Sequence, residues 1–378
     1  MDDKFYMKRA LEIARRGRFT TTPNPNVGCV IVLNGTIVGE GYHSCAGKPH
    51  AEIYALQMAG EKAKTATVYV TLEPCNHYGR TPPCCEALIS AGVHRVVIAM
   101  QDPNPLVAGR GLAKLKAAGI KVNYGLMEVE AERLNKGFLK RMRTGLPFLQ
   151  LKLAASLDGR TAMANGESKW ITSLAARLDV QIWRAQSSAI LSSSATVLID
   201  NPALTVRWNE LDSATKKIYP LQQLRQPVRI IIDSKNRIRP HHRLMLESGK
   251  IWLMRKSVTR QHFPSKVEQI IIPCNGEYID LNRMMYILGQ KQINTIWVEA
   301  GAKLSGALLQ YGMVDEFILY LAPKILGNNA RNLCYLPELN ELSNILKFDL
   351  KEIYQVGPDL RLHLIPKINL EFNLEGKS

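Results

Sequence analysis

The stretch "PHAEIYALQMAG", residues 49–60, sets His50 and Glu52 two positions apart where a helix is expected to begin. Downstream, "LEPCNHYGRTPPCCEAL" places Cys75 directly after Pro74 and Cys84 directly after Pro82 and Pro83. One imidazole and two thiolates suit Zn²⁺ and leave a fourth position for water, the mark of a catalytic rather than a structural site. A metal held there lowers the pKa of its water toward neutrality. Glu52, beside a ligand but not itself one, can carry a proton from that water to a departing amine. The set points to hydrolytic deamination.

His-x-Glu followed by Pro-Cys-x-x-Cys is the general signature of zinc nucleobase deaminases. This chain departs from it, because eight residues rather than two separate Cys75 from Cys84, and the insert must loop out for the second thiolate to return. Cys85 is the rival ligand. Cys84 is preferred because it stands nearer the prolines and the expected helix start, where the helix dipole favours a thiolate. A closed structural zinc site is the competing reading, but it gives Glu52 no purpose. His77 in the insert is read as a loop or substrate contact.

The elements that position these residues alternate. "VGCVIVLNGTIVGEGY" reads as a hairpin turning at Asn34-Gly35, residues 50–60 as a helix, "ATVYVTLEPC" as a buried strand, "EALISAG" as a helix and "HRVVIAM" as a strand. "LAKLKAAG" and "IKVNYG" continue the alternation, and "EVEAERLNKGFLKRMRTG" closes the unit as one helical stretch, with a boundary near residue 146. The chain restarts with "FLQLKLAASLDG" and further extended apolar segments, "SAILSSSATVLIDNP", "PVRIIIDS", "GKIWLM", "QIIIP" and "TIWVEAG". The late strands "DEFILYLAPKILG" and "LRLHLI" suit antiparallel pairing. Two α/β domains are expected, 1–146 and 147–367, with a loose tail beyond.

The whole sequence has 378 residues, 46% apolar and 22% charged, and offers no apolar run long enough to span a bilayer. The amino terminus reads as an amphipathic helix rather than a signal peptide, so a cytoplasmic protein is expected. Seven cysteines, five of them by residue 85, favour metal binding or burial over a disulfide framework. The net charge of +16, from 49 Lys and Arg against 33 Asp and Glu, admits anionic ligands, but the basic residues are scattered without the runs of a nucleic-acid surface.

Together "TTPNPNVGCVIV", "GYHSCAGKPHAE", "YVTLEPCNHYGRTPPCCEALISAG" and "QDPNPLVAGRGL" resemble the bifunctional riboflavin-biosynthesis deaminase-reductases, in which the long Pro-Cys-x8-Cys insert is a particular feature. The resemblance extends to about residue 366. It implies a cytidine-deaminase-like first domain that removes the 2-amino group of 2,5-diamino-6-ribosylamino-4(3H)-pyrimidinone 5′-phosphate, with Asn24, Asn26, His43 and the Gly47 turn shaping the pocket and Asp102-Pro103-Asn104 another wall.

No Rossmann phosphate loop is present: "GRGLAK" from Gly109 lacks the third glycine and reads as a chance match. "TIWVEAGAKLSGALL" reads as a strand ending at Glu299, a turn opened by Gly301, and Ser305-Gly306-Ala307 leading into a helix. "LKLAASLDGRTA", "ESKWITS", "WRAQSSAILSSSATVLIDNPALTVR" and "VEAGAKLSGAL" are similar to the reductase half of the same family. That half has a dihydrofolate-reductase-like fold and reduces the ribosyl group to ribityl with NADPH. The resemblance assigns Ala154, Trp170, Thr196, Asp200, Ser234 and Gly301, Ala302, Lys303, Leu304, Ser305, Gly306 and Ala307 to NADPH. It assigns Ser168, Arg184, Leu204, Arg207 and Glu299 to the substrate, with Arg184 and Arg207 suited as a guanidinium pair to the ribose phosphate. Asp200, Glu299 and Lys152 remain alternative proton donors. The expected ligands are Zn²⁺, NADPH and a phosphorylated pyrimidine, without nucleic acid or membrane, in a homo-oligomer. The competing readings are a tRNA deaminase, revealed by salt-dependent RNA binding, and a second half that binds nucleotide without catalysis.

Overall fold

In the computed structural model, which describes residues 2–76, 78, 83–104, 108–167, 171–338 and 341–367, the chain divides into one unit up to Leu146 and another from Pro147 onward. The first unit runs α1 (Asp3–Ala14), β1 (Gly28–Leu33), β2 (Thr36–Tyr42), α2 (Ala51–Ala59), β3 (Thr67–Val70) and α3 (Cys84–Ser90). It continues with β4 (Arg95–Ile98), α4 (Arg110–Ala117), β5 (Lys121–Tyr124), α5 (Glu128–Leu134) and α6 (Lys136–Thr144). Asn34 and Gly35 both take positive φ at the β1–β2 turn, as a tight hairpin of this kind requires. The sheet order is β2-β1-β3-β4-β5, antiparallel around β1 and parallel from β3 onward.

Residue alternation makes this sheet the middle of three layers. Cys29, Ile31, Val68 and Val70 cluster with Ala55, Leu88 and Leu115 of α2, α3 and α4. Their neighbours Val30, Val32 and Tyr69 cluster instead with Met7, Ala131 and Leu139 of α1, α5 and α6. Each fully buried Val or Leu contributes roughly 1.5–3 kcal/mol. Two such clusters therefore outweigh the few kcal/mol that each buried polar group of the site costs.

The stretch expected as one closing helix is broken at Asn135, whose φ of −123° and ψ of 21° leave the helical region. Its side chain grips Asn26 instead: the Asn26 N–H donates to Asn135 Oδ1 at 2.7 Å, and Asn135 Nδ2 donates to the Asn26 carbonyl at 3.0 Å. Two helices with a tertiary clamp between them replace one helix because these hydrogen bonds reach across the chain.

The second unit opens with β6 (Phe148–Ser156), β7 (Arg160–Ala162), α7 (Leu174–Gln186), β8 (Ala189–Ser193), α8 (Ser194–Asp200) and α9 (Ser213–Ile218). Next come β9 (Val228–Ile232), α10 (Arg243–Leu246), β10 (Ile251–Arg255), β11 (Val267–Ile271) and the short pair β12 (Cys274–Asn275) and β13 (Tyr278–Ile279). It ends with α11 (Leu281–Gln290), β14 (Thr295–Glu299), α12 (Ala302–Gln310), β15 (Glu316–Ala322), β16 (Arg331–Asn332), β17 (Phe348–Val356) and β18 (Asp359–Pro366).

The main sheet has the order β11-β10-β9-β8-β14-β6-β15-β18-β17. Its strands run parallel from β11 to β15, and β18 and β17 complete it antiparallel. Insertion of β14 between β8 and β6 creates a topological switch point, where open α/β sheets place their ligands. The segment "SAILSSSATVLIDNP" is a strand followed directly by a helix, because Ser193 caps α8 by accepting the Thr196 N–H. Likewise α12 begins at Ala302, capped by Gly301, so Ser305, Gly306 and Ala307 lie inside the helix rather than ahead of it.

Candidate active sites

In the first unit, His50 is the residue that caps α2 and Glu52 lies in that helix's first turn, only 3% exposed. The helix reaches its place because β2 is glycine-rich where they meet: a Cβ on Gly41 would stand 2.3 Å from the Ala51 carbonyl oxygen. Cys75 comes from the loop after β3, and Cys84 opens α3. His50 Nδ1 is 3.5 Å from Cys75 Sγ and 3.3 Å from Cys84 Sγ, and the Cys84 N–H donates to Cys75 Sγ at 3.4 Å. The three ligand atoms lie within 4.8 Å of one another. This soft N, S, S set fits Zn²⁺ with a position left for water. Cys85 turns away, its thiol 3.2 Å from the Pro74 carbonyl and its side chain in the α2–α3–α4 core. His77 lies outside the described residues.

Burial pushes the Glu52 carboxyl up to about 7, a rise that the Cys75 thiolate reinforces and His50 opposes. Such a carboxyl can both take and give a proton near neutrality. The Cys84–Cys75 hydrogen bond favours the Cys75 thiolate while raising the Cys84 thiol. A cavity of about 200 Å³ opens beside these groups and is bordered by Asn24, His43, Asp102 and Asn104. His43 lies with Nδ1 3.1 Å from the Pro49 carbonyl and Nε2 3.0 Å from Asn24 Nδ2, so its proton belongs on Nδ1 and Nε2 accepts from the amide. Burial lowers its pKa, which keeps the ring neutral. Asn26, expected at the pocket, does not line it: its amide and backbone are spent on Leu134 and Asn135.

In the second unit, a cavity of about 650 Å³ opens at the carboxyl ends of β6, β8 and β14. Ala154, Thr196, Asp200, Leu204, Glu299 and the run Gly301–Leu304 border it, as do Arg184 and Lys152. Its size, small-residue lining and helix start at Gly301 fit a dinucleotide. Leu204 holds a φ of +52°, a left-handed conformation rare for a branched residue, here at the wall of the cavity. Ser168 and Trp170 lie outside the described residues.

Ser234, Arg207, Ser305, Gly306 and Ala307 do not line this cavity. Ser234 follows the end of β9, while Ser305 is fully buried and bonds the Ala300 carbonyl at 3.3 Å. Gly306 packs on the Tyr335 backbone.

Of the expected pair of guanidinium groups, only Arg184 borders the cavity. Arg184 is committed to Glu299, donating from Nε at 2.6 Å and from Nη2 at 2.8 Å, with Nη1 on the Thr205 carbonyl at 2.9 Å. Arg207 is turned outward to Glu210 at 2.6 Å. Burial works to raise the Glu299 carboxyl, but Arg184 outweighs it, helped by Lys152 and by the Trp297 indole N–H at 2.9 Å, and the carboxyl falls to about 2. Burial lowers the Lys152 ammonium pKa against the pull of Glu299.

Glu73, Arg331 and Tyr335 are among the lining residues that escaped the residue-by-residue sequence reading. Glu73, two positions before Cys75, is buried against the first cavity. Arg331 and Tyr335 border the second from a segment with no motif of its own. For Glu73 a signal existed, since Gly109 and Gly111 of the discarded Gly-x-Gly pattern both donate to its carboxylate.

Comparison with known proteins agrees with this geometry. Residues 147–362 match the family described as the RibD C-terminal domain, and residues 1–100 match the cytidine and deoxycytidylate deaminase zinc-binding region. The chain is 64% identical to riboflavin biosynthesis protein RibD of Escherichia coli over 97% of its own length and 100% of the relative's. It is 57% identical to the protein of that name from Haemophilus influenzae, covering 97% and 98%. The solved structure of Acinetobacter baumannii RibD superposes with a TM-score of 0.90 at 46% identity, over 97% of this chain and 99% of that one. A Thermotoga maritima diaminohydroxyphosphoribosylaminopyrimidine deaminase/5-amino-6-(5-phosphoribosylamino)uracil reductase gives 0.84 at 33% identity, covering 96% and 98%.

Proposed function

Since the chain belongs to the RibD family of bifunctional riboflavin-biosynthesis deaminase-reductases, we propose a division of labour among its residues in two successive reactions. The first is hydrolytic deamination of 2,5-diamino-6-ribosylamino-4(3H)-pyrimidinone 5′-phosphate in the unit up to Leu146. The second is NADPH-dependent reduction of the ribosyl side chain, in the unit from Pro147 onward, giving 5-amino-6-(5-phosphoribitylamino)uracil. The observation that carries the reading is the meeting of His50, Cys75 and Cys84 beside a buried Glu52.

Bound Zn²⁺ supplies an acidified water, and NADPH supplies the hydride. His50, Cys75 and Cys84 hold the metal. Glu52 takes a proton from the attacking water and returns one to the departing 2-amino group, so that ammonia leaves as the ring carbon gains oxygen. Asn24 and His43, hydrogen-bonded to each other, orient the ring, with Asp102 and Asn104 on the wall.

In the reductase cavity, Ala154, Thr196, Asp200 and Gly301–Leu304 hold NADPH, with Trp170 and Ser234 assigned by family resemblance. Ser305, Gly306 and Ala307, which lie inside α12 behind its cavity-facing start, are assigned to NADPH by family resemblance. Glu299 and Arg184 meet the substrate as one ion pair, and Leu204 shapes its seat; Ser168 and Arg207 remain with the substrate by resemblance. The half-buried Lys152, its proton loosened by burial, is the group best placed to protonate the sugar nitrogen or oxygen that receives charge during hydride transfer.

Self-association completes the reading: the outer strand β17 leaves Leu350, Ile353 and Tyr354 exposed, and sedimentation tests it. No helix among the described residues is long and apolar enough to cross a membrane, which suits a cytoplasmic enzyme. The test is to measure metal content, ammonia release and NADPH oxidation on one preparation. One zinc per chain with both activities is expected, and a zinc-loaded protein inert in both would overturn the proposal.

A further inference from the structure

We infer that Glu73 is a positioning residue of the deaminase site, its carboxylate fixing the substrate wall at Asp102–Asn104 relative to the metal-binding loop. The inference rests on the deaminase reading. Glu73 is 3% exposed and lies in the loop that leads from β3 to Cys75, its own N–H bonded to the Met100 carbonyl at 3.0 Å. Oε2 accepts the Asp102 N–H at 3.3 Å and the Gly109 N–H at 3.0 Å. Oε1 accepts the Gly111 N–H at 2.9 Å and the Leu112 N–H at 3.3 Å.

A buried carboxylate is costly unless its oxygens are satisfied, and here four peptide N–H groups satisfy them, those of Gly111 and Leu112 at the positive end of α4. The fit admits no side chain at Gly111, where a Cβ would stand 2.3 Å from the Pro74 carbonyl oxygen, 3.0 Å from Glu73 Oε1 and 3.2 Å from Cys85 Sγ. The ligand loop, the wall at Asp102 and the start of α4 therefore meet at one carboxylate. The same oxygen that grips Gly109 also grips Asp102, whose Oδ1 in turn accepts the Asn104 N–H at 2.9 Å. Asp102 and Asn104 border the cavity that holds His50 and Glu52. Glu73 also borders this cavity, but its two carboxylate oxygens are taken up by the four peptide N–H groups, so its role runs through the wall they fix.

Glu73→Gln keeps the side-chain size but turns an NH2 group toward two of the four N–H donors, removing one pair of hydrogen bonds. In the full chain we expect the deaminase KM to rise about 10-fold, the equivalent of roughly one charged hydrogen bond, with a smaller fall in kcat. Zinc should stay at one per chain and reduction of the deaminated intermediate should be unchanged. A KM within twofold of wild type, or loss confined to kcat, would overturn the inference. If the Gln variant loses zinc, Glu73→Asp decides: a raised KM with zinc retained supports the role, and an unaltered KM ends it. Absence of ammonia release from wild type would instead sink the deaminase reading itself.

Discussion

Glu299 and Arg184 form a bidentate pair whose side chains are 15% and 10% exposed, at the end of the central strand β14. Removing one partner of such a pair leaves the other charged in a dry setting and costs about 3–5 kcal/mol. Glu299→Gln should therefore lower the second unit's unfolding midpoint and remove reductase activity. All five tryptophans lie beyond Pro147, so their fluorescence reports that unit alone. The pH dependence has a definite sign. The folded carboxyl titrates at about 2, below its ordinary 4.5, so the pair's contribution is present above 4.5 and fades as pH falls toward 2. Denaturant titrations should show the gap between wild type and Glu299→Gln closing across that window. A gap independent of pH would mean that Glu299 stabilises by shape rather than by charge.

At the scale of elements, the deaminase site depends on α2 lying close against β2. Ala51 and Ala55 are fully buried, and the approach leaves no room for a Cβ at Gly41. Gly41→Ala should displace the first turn of α2, which carries Glu52 and follows His50. Ammonia release should fall at least about 10-fold while the second unit's fluorescence melt is unmoved; an unaffected deaminase would show that the helix accommodates the methyl elsewhere.

The strands and the hairpin were legible in the sequence because alternation and Asn34-Gly35 are local signals. The cluster of His50, Cys75 and Cys84 was legible because His50-x-Glu52 and the proline-flanked cysteines are unusual in composition. What local pattern could not show were tertiary hydrogen bonds: the Asn26–Asn135 clamp that breaks one helix into two, the Glu73 contacts that explain Gly109 and Gly111, and the pairing of Arg184 with Glu299. The early start of α12 escaped for a different reason, since glycine at the cap resembles a turn until Ala302 is seen already helical.

At the scale of the whole molecule, two sheets of unlike topology each border a cavity lined by candidate site residues, and the proposed chemistry divides with them. In the proposed division, the first relies on a metal that His50, Cys75 and Cys84 are placed to hold and the second on a dinucleotide at a switch point. Removing zinc with a chelator should therefore abolish ammonia release from the diamino substrate and leave reduction of the deaminated intermediate intact, with readdition of zinc restoring the first activity. Loss of both activities on chelation would show that the metal supports the fold of the entire chain.

In the proposed mechanism Glu52 moves the proton for deamination and reduction follows at a separate site. The most direct measurement compares wild type with Glu52→Gln, each supplied with the diamino-pyrimidinone ribosyl phosphate and NADPH while ammonia and nicotinamide absorbance are followed together. Wild type should release ammonia and oxidise NADPH. The variant, with zinc still bound, should lose ammonia release by about 10²–10⁴-fold and oxidise NADPH only when given the deaminated intermediate. Undiminished ammonia release by the zinc-loaded variant would contradict the role of Glu52, and failure of the intermediate to restore oxidation would contradict two independent sites.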